Sequence, residues 1–343
     1  MKPLLNTLFV NTQGAHLTRE GLTVAVSMQG EIRTRIPIHI LSGIVCFGVV
    51  SVTPFLFQLA AEHGVSVAFC TEFGRFIGRM QGPISGNVVL RRKQYRAADD
   101  RLLSTTLARS IVSAKINNGR CVLQRASRDS CDLEKKAVLD FAALRLRRTL
   151  DTLTHADSVD QVRGFEGEAA NLYFGVLDQL VTAEKEHFFF RGRSRRPPLD
   201  NLNALLSFLY TLLANDTVAA LETVGLDPQV GFLHRERPGR PSLALDLMEE
   251  LRAPVADRLA LRLINRRQIE ADGFHRTESG GVTMNEATRR IVLTEWQLRK
   301  AEEVTHPFLN ETIPLGLIPY LQALLLARYL RGDLDGYPPY FWR

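Results

Sequence analysis

GRMQGPISGNVVLRRKQYR, residues 78–96, divides the chain into two kinds of sequence. Ahead of it, short runs of β-forming residues lie at 8–10, 22–28, 32–36, 44–50, 65–69 and, after Gly74, 76–80, with turn pairs such as Gln13-Gly14 and Gln29-Gly30 between them. That pattern predicts strands. One helix is expected there, over 54–63, opened by Pro54, because a proline in the first helical turn loses no hydrogen bond. Within the quoted stretch Gly82, Pro83 and Gly86 interrupt regular backbone and read as a linker. Beyond it, apolar residues recur with helical spacing over 90–118, 133–153, 158–184, 201–224, 242–270, 285–303 and 315–330. The expected fold class is α+β in two domains. A small β-rich N-terminal domain covers 1–82, a linker 83–92, and a larger all-α domain, the one expected to be catalytic, 93–343.

At 343 residues, 45% hydrophobic and 23% charged, the chain is long enough for more than one domain and too apolar for extended disorder. Its net charge of +6 permits an acidic partner without demanding one. The distribution says more: 91–200 carries 21 basic and 15 acidic side chains, against 6 and 4 before it and 16 and 18 after it. A localised basic zone is the electrostatic footprint of a polyanion site.

Cys46, Cys70, Cys121 and Cys131 form no CxxC pair and no zinc-like spacing. Cys46 and Cys70 lie in apolar runs and are expected to be buried thiols, which suits a reducing cytosol. The N-terminus lacks the apolar core and cleavage site of a signal peptide. Residues 37–61 carry no charge and are long enough to span a bilayer. Gly43, Gly48 and Pro54 interrupt them, so they read as strand, turn and helix of a soluble protein. GxxxxGK[ST], GxGxxG and GxSxG are all absent, which leaves P-loop hydrolysis and serine chemistry without support.

Glu166 stands inside the apolar stripe Val159, Val162, Ala169/Ala170, Tyr173 and Leu177. A carboxylate in such a row must be paired, protonated or metal-bound, since desolvating a bare charge is costly. An ion pair with Arg163, or a stripe edge open to solvent, would satisfy it equally. His234 lies in the loop 227–241 and reads either as a surface residue or as a ligand. Ser242 is the expected N-cap of the next helix, which places Asp246 and Glu249 on one face three residues apart. Glu250 falls off that face and is expected to be solvated. Carboxylates with one imidazole make a hard ligand set suited to Mg2+ or Mn2+. Such an ion polarises phosphoryl oxygens and activates water or a hydroxyl. Spacing alone does not bring the Glu166 helix to Asp246. Arg191, Arg193, Arg195 and Arg196 crowd a proline-ended loop after Phe188–Phe190, a composition suited to phosphates and stacked bases but equally to a solvated loop. Arg91, Arg92 and Lys93, near the linker, read as an exposed basic helix face.

Taken in order, GFEGEAANLYF, RRPPLDNLNALLSFLYTLL and GFLHRERPGRPSLALDLMEELR resemble the Cas1 family, the integrase of CRISPR spacer acquisition. LARSIVSAKINNG and the β-rich start fit the same family, and the YPPYFWR ending and the length are most similar to its type I-C branch. The resemblance covers essentially the whole chain. It implies Glu166, His234 and Glu249 as the metal ligands, with Asp246 beside the ion or organising the site. Asp200, Asn203 and Tyr210 fall on supporting positions. It further implies a metal-dependent DNA endonuclease and integrase of antiviral defence in the prokaryotic cytoplasm. Its nucleophile would be the 3′-hydroxyl of a double-stranded pre-spacer attacking a CRISPR repeat. Arg191, Arg193, Arg195, Arg196, Arg91, Arg92 and Lys93 become candidate DNA-backbone contacts. A homodimer packed through the β-rich domain and a complex with the small Cas2 protein are implied as well. Two rival readings are a stand-alone nuclease for branched DNA and a non-catalytic DNA-binding scaffold.

Overall fold

The computed structural model describes residues 6–72, 76–80 and 88–342. The linker glycines and proline, Gly82, Pro83 and Gly86, and the turn residue Gly74 lie outside the described residues. Positions 88–92, expected to belong to the linker, are already helical, because Leu90 opens the buried row that Gln94 and Ala97 continue.

The strand-rich part forms two four-stranded sheets. In one, β1 (Asn6–Val10), β5 (Leu41–Phe47) and β7 (Ser66–Cys70) run parallel, and β8 (Phe76–Met80) joins β7 antiparallel. In the other, β4 (Glu31–Pro37), β3 (Thr23–Met28) and β2 (Ala15–Glu20) form an antiparallel meander closed by β6 (Val50–Val52) parallel to β2. The periodicity missed β2 and β6. In β2 the alternation is broken by charge at Arg19 and Glu20, and β6 spans only three residues. The helix α1 (Pro54–Glu62) opens with its proline as expected and buries Leu56, Leu59 and Ala60. The uncharged stretch 37–61 is thus divided among a 3-10 turn, two strands and a helix.

Period-2 alternation gives β5 two buried faces. Ile44 and Cys46 join a core confined to the strand-rich part, whereas Val45 and Phe47 join the main helical core, where the Phe47 ring lies 5.8 Å from that of Phe208. Polar contacts cross the same boundary, from Gln297 Nε2 to the Thr7 carbonyl at 3.1 Å and from Arg289 to Glu72 at 3.3 Å. Cys46 and Cys70 are buried reduced thiols, and burial pushes both up to about 12.

The second part is mostly helical rather than all-helical: α2 (Val88–Asp99), α3 (Arg101–Arg128), α4 (Leu133–Leu153), α5 (Val159–Gly175), α6 (Asn201–Val224), α7 (Ser242–Met248), α8 (Arg258–Asn265), α9 (Glu286–Ala301) and α10 (Ile318–Arg331). Two small antiparallel ladders complete it, β9 (Phe274–Arg276) with β10 (Val282–Met284) and β11 (Glu303–Thr305) with β12 (Thr312–Pro314). The helix expected over 90–118 is split at Asp100, whose carboxylate caps α3 by accepting from the backbone of Leu102 and Leu103 at 2.8 and 3.0 Å. That expected over 158–184 ends at Gly175. The span 242–270 is broken by Pro254 into α7, a π-helical turn at Arg252–Asp257, and α8. Ser242 is the first helical residue rather than the N-cap, its hydroxyl donating to the Arg235 carbonyl at 3.2 Å. α6 is long and apolar enough to cross a membrane, but most of it is buried inside the protein.

Removing the Phe47 ring should cost about 3–5 kcal/mol, because it leaves a cavity where sheet and helices meet. Urea unfolding of Phe47→Ala measures this, and the expected midpoint shift is the same by far-UV and near-UV circular dichroism.

Candidate active site

Three separate chain segments meet at Lys115, near the middle of α3. Its ammonium pairs with the Glu166 carboxylate of α5 and lies 2.7 Å from Glu249 Oε2, just beyond α7. The partner of Glu166 is therefore Lys115 and not Arg163. Arg163 pairs instead with Asp160 at 2.5 Å and donates through Nε to the Leu233 carbonyl at 2.6 Å. That second bond ties α5 to the loop carrying His234, the join that spacing left open.

Asp246, fully buried, holds that loop in place. Its Oδ2 accepts from the backbone N–H groups of Phe232 and Leu233 at 2.6 and 2.9 Å, and its Oδ1 from that of His234 at 2.9 Å. Oδ1 also lies 2.7 Å from His234 Nδ1. An ionised carboxylate can only accept, so Nδ1 carries the proton and Nε2 presents its lone pair when the ring is neutral. With its oxygens so engaged, Asp246 organises the site rather than facing it. Gly231 is required by this arrangement: a Cβ there would sit 2.7 Å from Asp246 Oδ2. His234 Nε2 points toward Glu249, 4.0 Å from Oε1.

Glu249 is 3% exposed. Burial alone would raise its carboxyl, but Arg252, Lys115 and His234 outweigh that and hold it at about 2. Arg252 Nη1 reaches Glu249 Oε1 at 2.6 Å, and its guanidinium lies over the Tyr210 ring at 4.9 Å. Tyr210 and Tyr173 donate their hydroxyls to the two oxygens of Asp257, at 2.6 and 3.0 Å. Burial pushes Asp257 up to about 6 against the opposing pull of those bonds.

Glu250, expected in solvent, is completely buried. It accepts from Tyr337 Oη at 2.7 Å, Gln322 Nε2 at 2.8 Å and the Tyr340 backbone at 2.8 Å, and burial pushes its carboxyl up to about 7. The chain leaves the helical path after Met248, so the one-face rule stops applying at this residue. Asn118, one turn beyond Lys115, donates to the carbonyls of Glu250 and Tyr340 at 2.7 and 2.8 Å, fixing the turn behind Glu249.

The basic loop is anchored by Asn203, which donates to the Gly192 carbonyl and accepts from Ser194 N–H at 3.1 Å, while Asp200 caps α6 and accepts from Asn203 at 2.7 Å. Arg193 is consumed by this anchoring: it donates to Asn203 Oδ1 at 2.6 Å and to Ser207 at 3.1 Å, with its guanidinium over Tyr210. Arg191, Arg195 and Arg196 remain exposed, as do Arg92 and Lys93, whereas Arg91 is half-buried. Lys115, Arg252 and Asp257 are the residues of the site that the sequence reading missed. Among the described residues, no three His, Cys, Asp or Glu side chains close to metal-holding distance around one point. The lysine ammonium stands between the two glutamates.

Fold and site together define the class: an α+β protein whose acidic centre, balanced by buried cations, is built on its helical part. The model of the family described as CRISPR associated protein Cas1 matches residues 8–298, and the chain belongs to that family. CRISPR-associated endonuclease Cas1 1 of Chlorobaculum tepidum is 52% identical over 343 residues, covering 100% of both chains. CRISPR-associated endonuclease Cas1 2 of Rhodospirillum rubrum is 50% identical over 354 residues, again covering 100% of both. Among solved structures, a CAS1 protein from Thermotoga maritima superposes with a TM-score of 0.83 at 25% identity, covering 95% of this chain and 97% of that one. A casposase bound to integration product shares the fold, with a TM-score of 0.84 at 24% identity over 99% of this chain and 95% of its own.

Asp246→Ala leaves two buried backbone donors, the half-buried N–H of His234 and its imidazole unmet, at roughly 1–3 kcal/mol for each buried group. A loss of at least about 3 kcal/mol in chemical denaturation is expected. Asp257 has a folded pKa above its unfolded one, so its stabilising contribution is full below about pH 4 and lost as pH rises through about 6. Stability curves of wild type and Asp257→Asn, measured from pH 4 to pH 7, should therefore differ in slope, with the wild type falling more steeply.

Proposed function

We propose that this chain is a metal-dependent DNA endonuclease and integrase that inserts new spacers into a CRISPR array in prokaryotic antiviral defence. The observation that carries the reading is the convergence of Glu166 and Glu249 on one cationic point, with His234 held beside them by Asp246. These three residues would hold Mg2+ or Mn2+. The fit is supported by the hard donor set and by Glu249 Oε2, which is buried and touches Lys115 by charge without a well-formed hydrogen bond. When bound, the cation supplies Lewis-acid polarisation of a phosphoryl oxygen and lowers the pKa of the attacking hydroxyl.

The protein's own residues do the rest. Arg252 and Lys115 keep Glu249 ionised at any working pH. The Asp246 carboxylate fixes the His234 tautomer and aims Nε2 inward. Attack by a DNA 3′-hydroxyl forms a new phosphodiester and releases the target strand's own 3′-oxygen. Attack by water at the same centre cuts the strand. Exposed Arg191, Arg195, Arg196, Arg92 and Lys93 are candidates to position the duplex by its phosphates. Family membership supports a homodimer that works with Cas2 on pre-spacer and repeat DNA, in the cytoplasm.

The test is joining of a labelled 3′-OH DNA end to a leader–repeat plasmid, with and without Cas2 and with Mg2+ or Mn2+. Glu166→Gln and Glu249→Gln should each lower joining by roughly 10²–10³-fold or more, the scale of losing one group that stabilises developing charge. Cleavage of branched DNA without any joining would make the chain a stand-alone nuclease. Full joining by Glu166→Ala would remove the catalytic reading.

A further inference from the structure

Glu249 stands on backbone that does little to hold itself. After α7, the N–H groups of Glu249, Glu250 and Leu251 each donate to the carbonyl three residues back, at 3.1, 3.3 and 3.0 Å. Bonds of that kind have poorer geometry than those of an α-helix. The π-helical turn Arg252–Asp257 follows, a backbone form that proteins use rarely, and it carries the site residues Arg252 and Asp257. The place of Glu249 therefore depends on what lies behind this stretch, and the segment 337–342 lies there.

That segment has no regular secondary structure, yet Tyr337 and Tyr340 are only 6% and 1% exposed. It grips the stretch at both ends. At the near end, Tyr337 Oη and the Tyr340 N–H donate to the two oxygens of the Glu250 carboxylate. Asn118 donates to the carbonyls of Glu250 and Tyr340 and accepts from the Trp342 N–H at 2.8 Å, so one amide of α3 joins both pieces of chain. At the far end, the Arg258 guanidinium lies over the Trp342 ring, 4.5 Å from its centroid. Gln322 of α10 locks the near end, its Nε2 donating to Glu250 Oε2 and to Tyr337 Oη, both at 2.8 Å. The Gln322 amide cannot turn over, because its Oε1 faces His306 Nε2 at 3.0 Å. His306 Nδ1 accepts from the backbone of Phe308 and Leu309, which puts the proton of the neutral ring on Nε2.

Lys115 and Asn118 are one turn apart on α3. The helix whose ammonium meets the Glu249 carboxylate thus also holds the backbone behind it. We propose that Tyr337 and Trp342 are positioning residues for strand joining. Acting through Glu250 and Arg258, they strap down the stretch 249–258 and keep the Glu249 carboxylate in place opposite Glu166 and His234. A misplacement of about 1 Å at a reacting centre can lower the rate by ~10²-fold. The inference rests on the proposed joining reaction for its kinetic readout, whereas hydrogen exchange reads the strap without it.

The experiment compares the full chain with Tyr337→Phe/Trp342→Ala, Glu250→Ala and Glu250→Gln, at a temperature where each is folded by circular dichroism. Joining of a 3′-OH DNA end, with Cas2 and Mn2+, is followed over a range of DNA concentrations, and amide hydrogen exchange is measured on peptides covering 246–258. The double variant keeps the buried ring at 337 and trims a half-buried one at 342, so it tests the strap even if Glu250→Ala does not fold. Both are expected to lose about tenfold or more in kcat, with the KM for DNA within roughly twofold of wild type. Both should also exchange about tenfold faster over 246–258, with α4 unchanged. Glu250→Gln still offers an acceptor to Gln322 and Tyr340, and is expected to restore kcat to within about threefold of wild type. A folded double variant with wild-type kcat or wild-type exchange overturns the proposal. A loss that falls on KM instead of kcat, or Glu250→Gln as slow as Glu250→Ala, overturns it equally. A wild type that joins no DNA removes the catalytic reading instead, and exchange over 246–258 in the double variant then decides the strap, faster exchange upholding it and unchanged exchange overturning it.

Discussion

A carboxylate taken almost wholly out of water has to be matched by positive charge held just as firmly, and Glu249 imposes that condition on the rest of the molecule. Lys115 from α3 and Arg252 from the π-helical turn answer it. Each answer recruits further structure. Arg252 needs a support, which is the Tyr210 ring; Tyr210 needs an acceptor, which is Asp257; and Asp257 draws in Tyr173 from α5. Lys115 in turn brings Glu166 into the same group. The acidic centre is thus one connected electrostatic unit spanning α3, α5, α6 and the segment after α7. Breaking one buried partner strands the charge of another, which is far more costly than never having made the pair.

A second layer works by hydrogen bonds rather than charge. Asp246 gathers a loop onto α7, and Glu250, its neighbour Gln322 and Asn118 gather the segment 337–342 onto the turn behind Glu249. Two adjacent glutamates therefore have opposite characters. Glu249 is held ionised by cations, whereas Glu250 sits among neutral donors and is pushed up by burial. Environment, not residue type, separates their roles.

Helices α4 and α6 were legible to the residue from periodicity, because Asp132 and Asp200 stop the backbone at their starts and Gly225, with a φ of 90°, at the end of α6. The breaks at Asp100 and Pro254 were less so, since apolar spacing continues through both. Glu166, His234, Asp246 and Glu249 were legible from spacing as separate candidates and as one set only through the family pattern; their meeting depends on Lys115, a lone lysine 51 positions before Glu166 that no local rule marks out. Glu250 misled because helical phase was extended two residues past the end of α7. Arg193 misled because composition cannot distinguish an arginine that faces solvent from one that fastens its own loop.

The seven residues of β5 belong to two hydrophobic cores, Ile44 and Cys46 to one and Val45 and Phe47 to the other. Chains of this length ordinarily fold part by part, through populated intermediates. Here neither part can lose its packing without stripping one side of a strand that the other part still requires. Sheet and helices are therefore coupled thermodynamically, and the boundary so plain in the sequence at 78–96 is not a boundary of cooperativity.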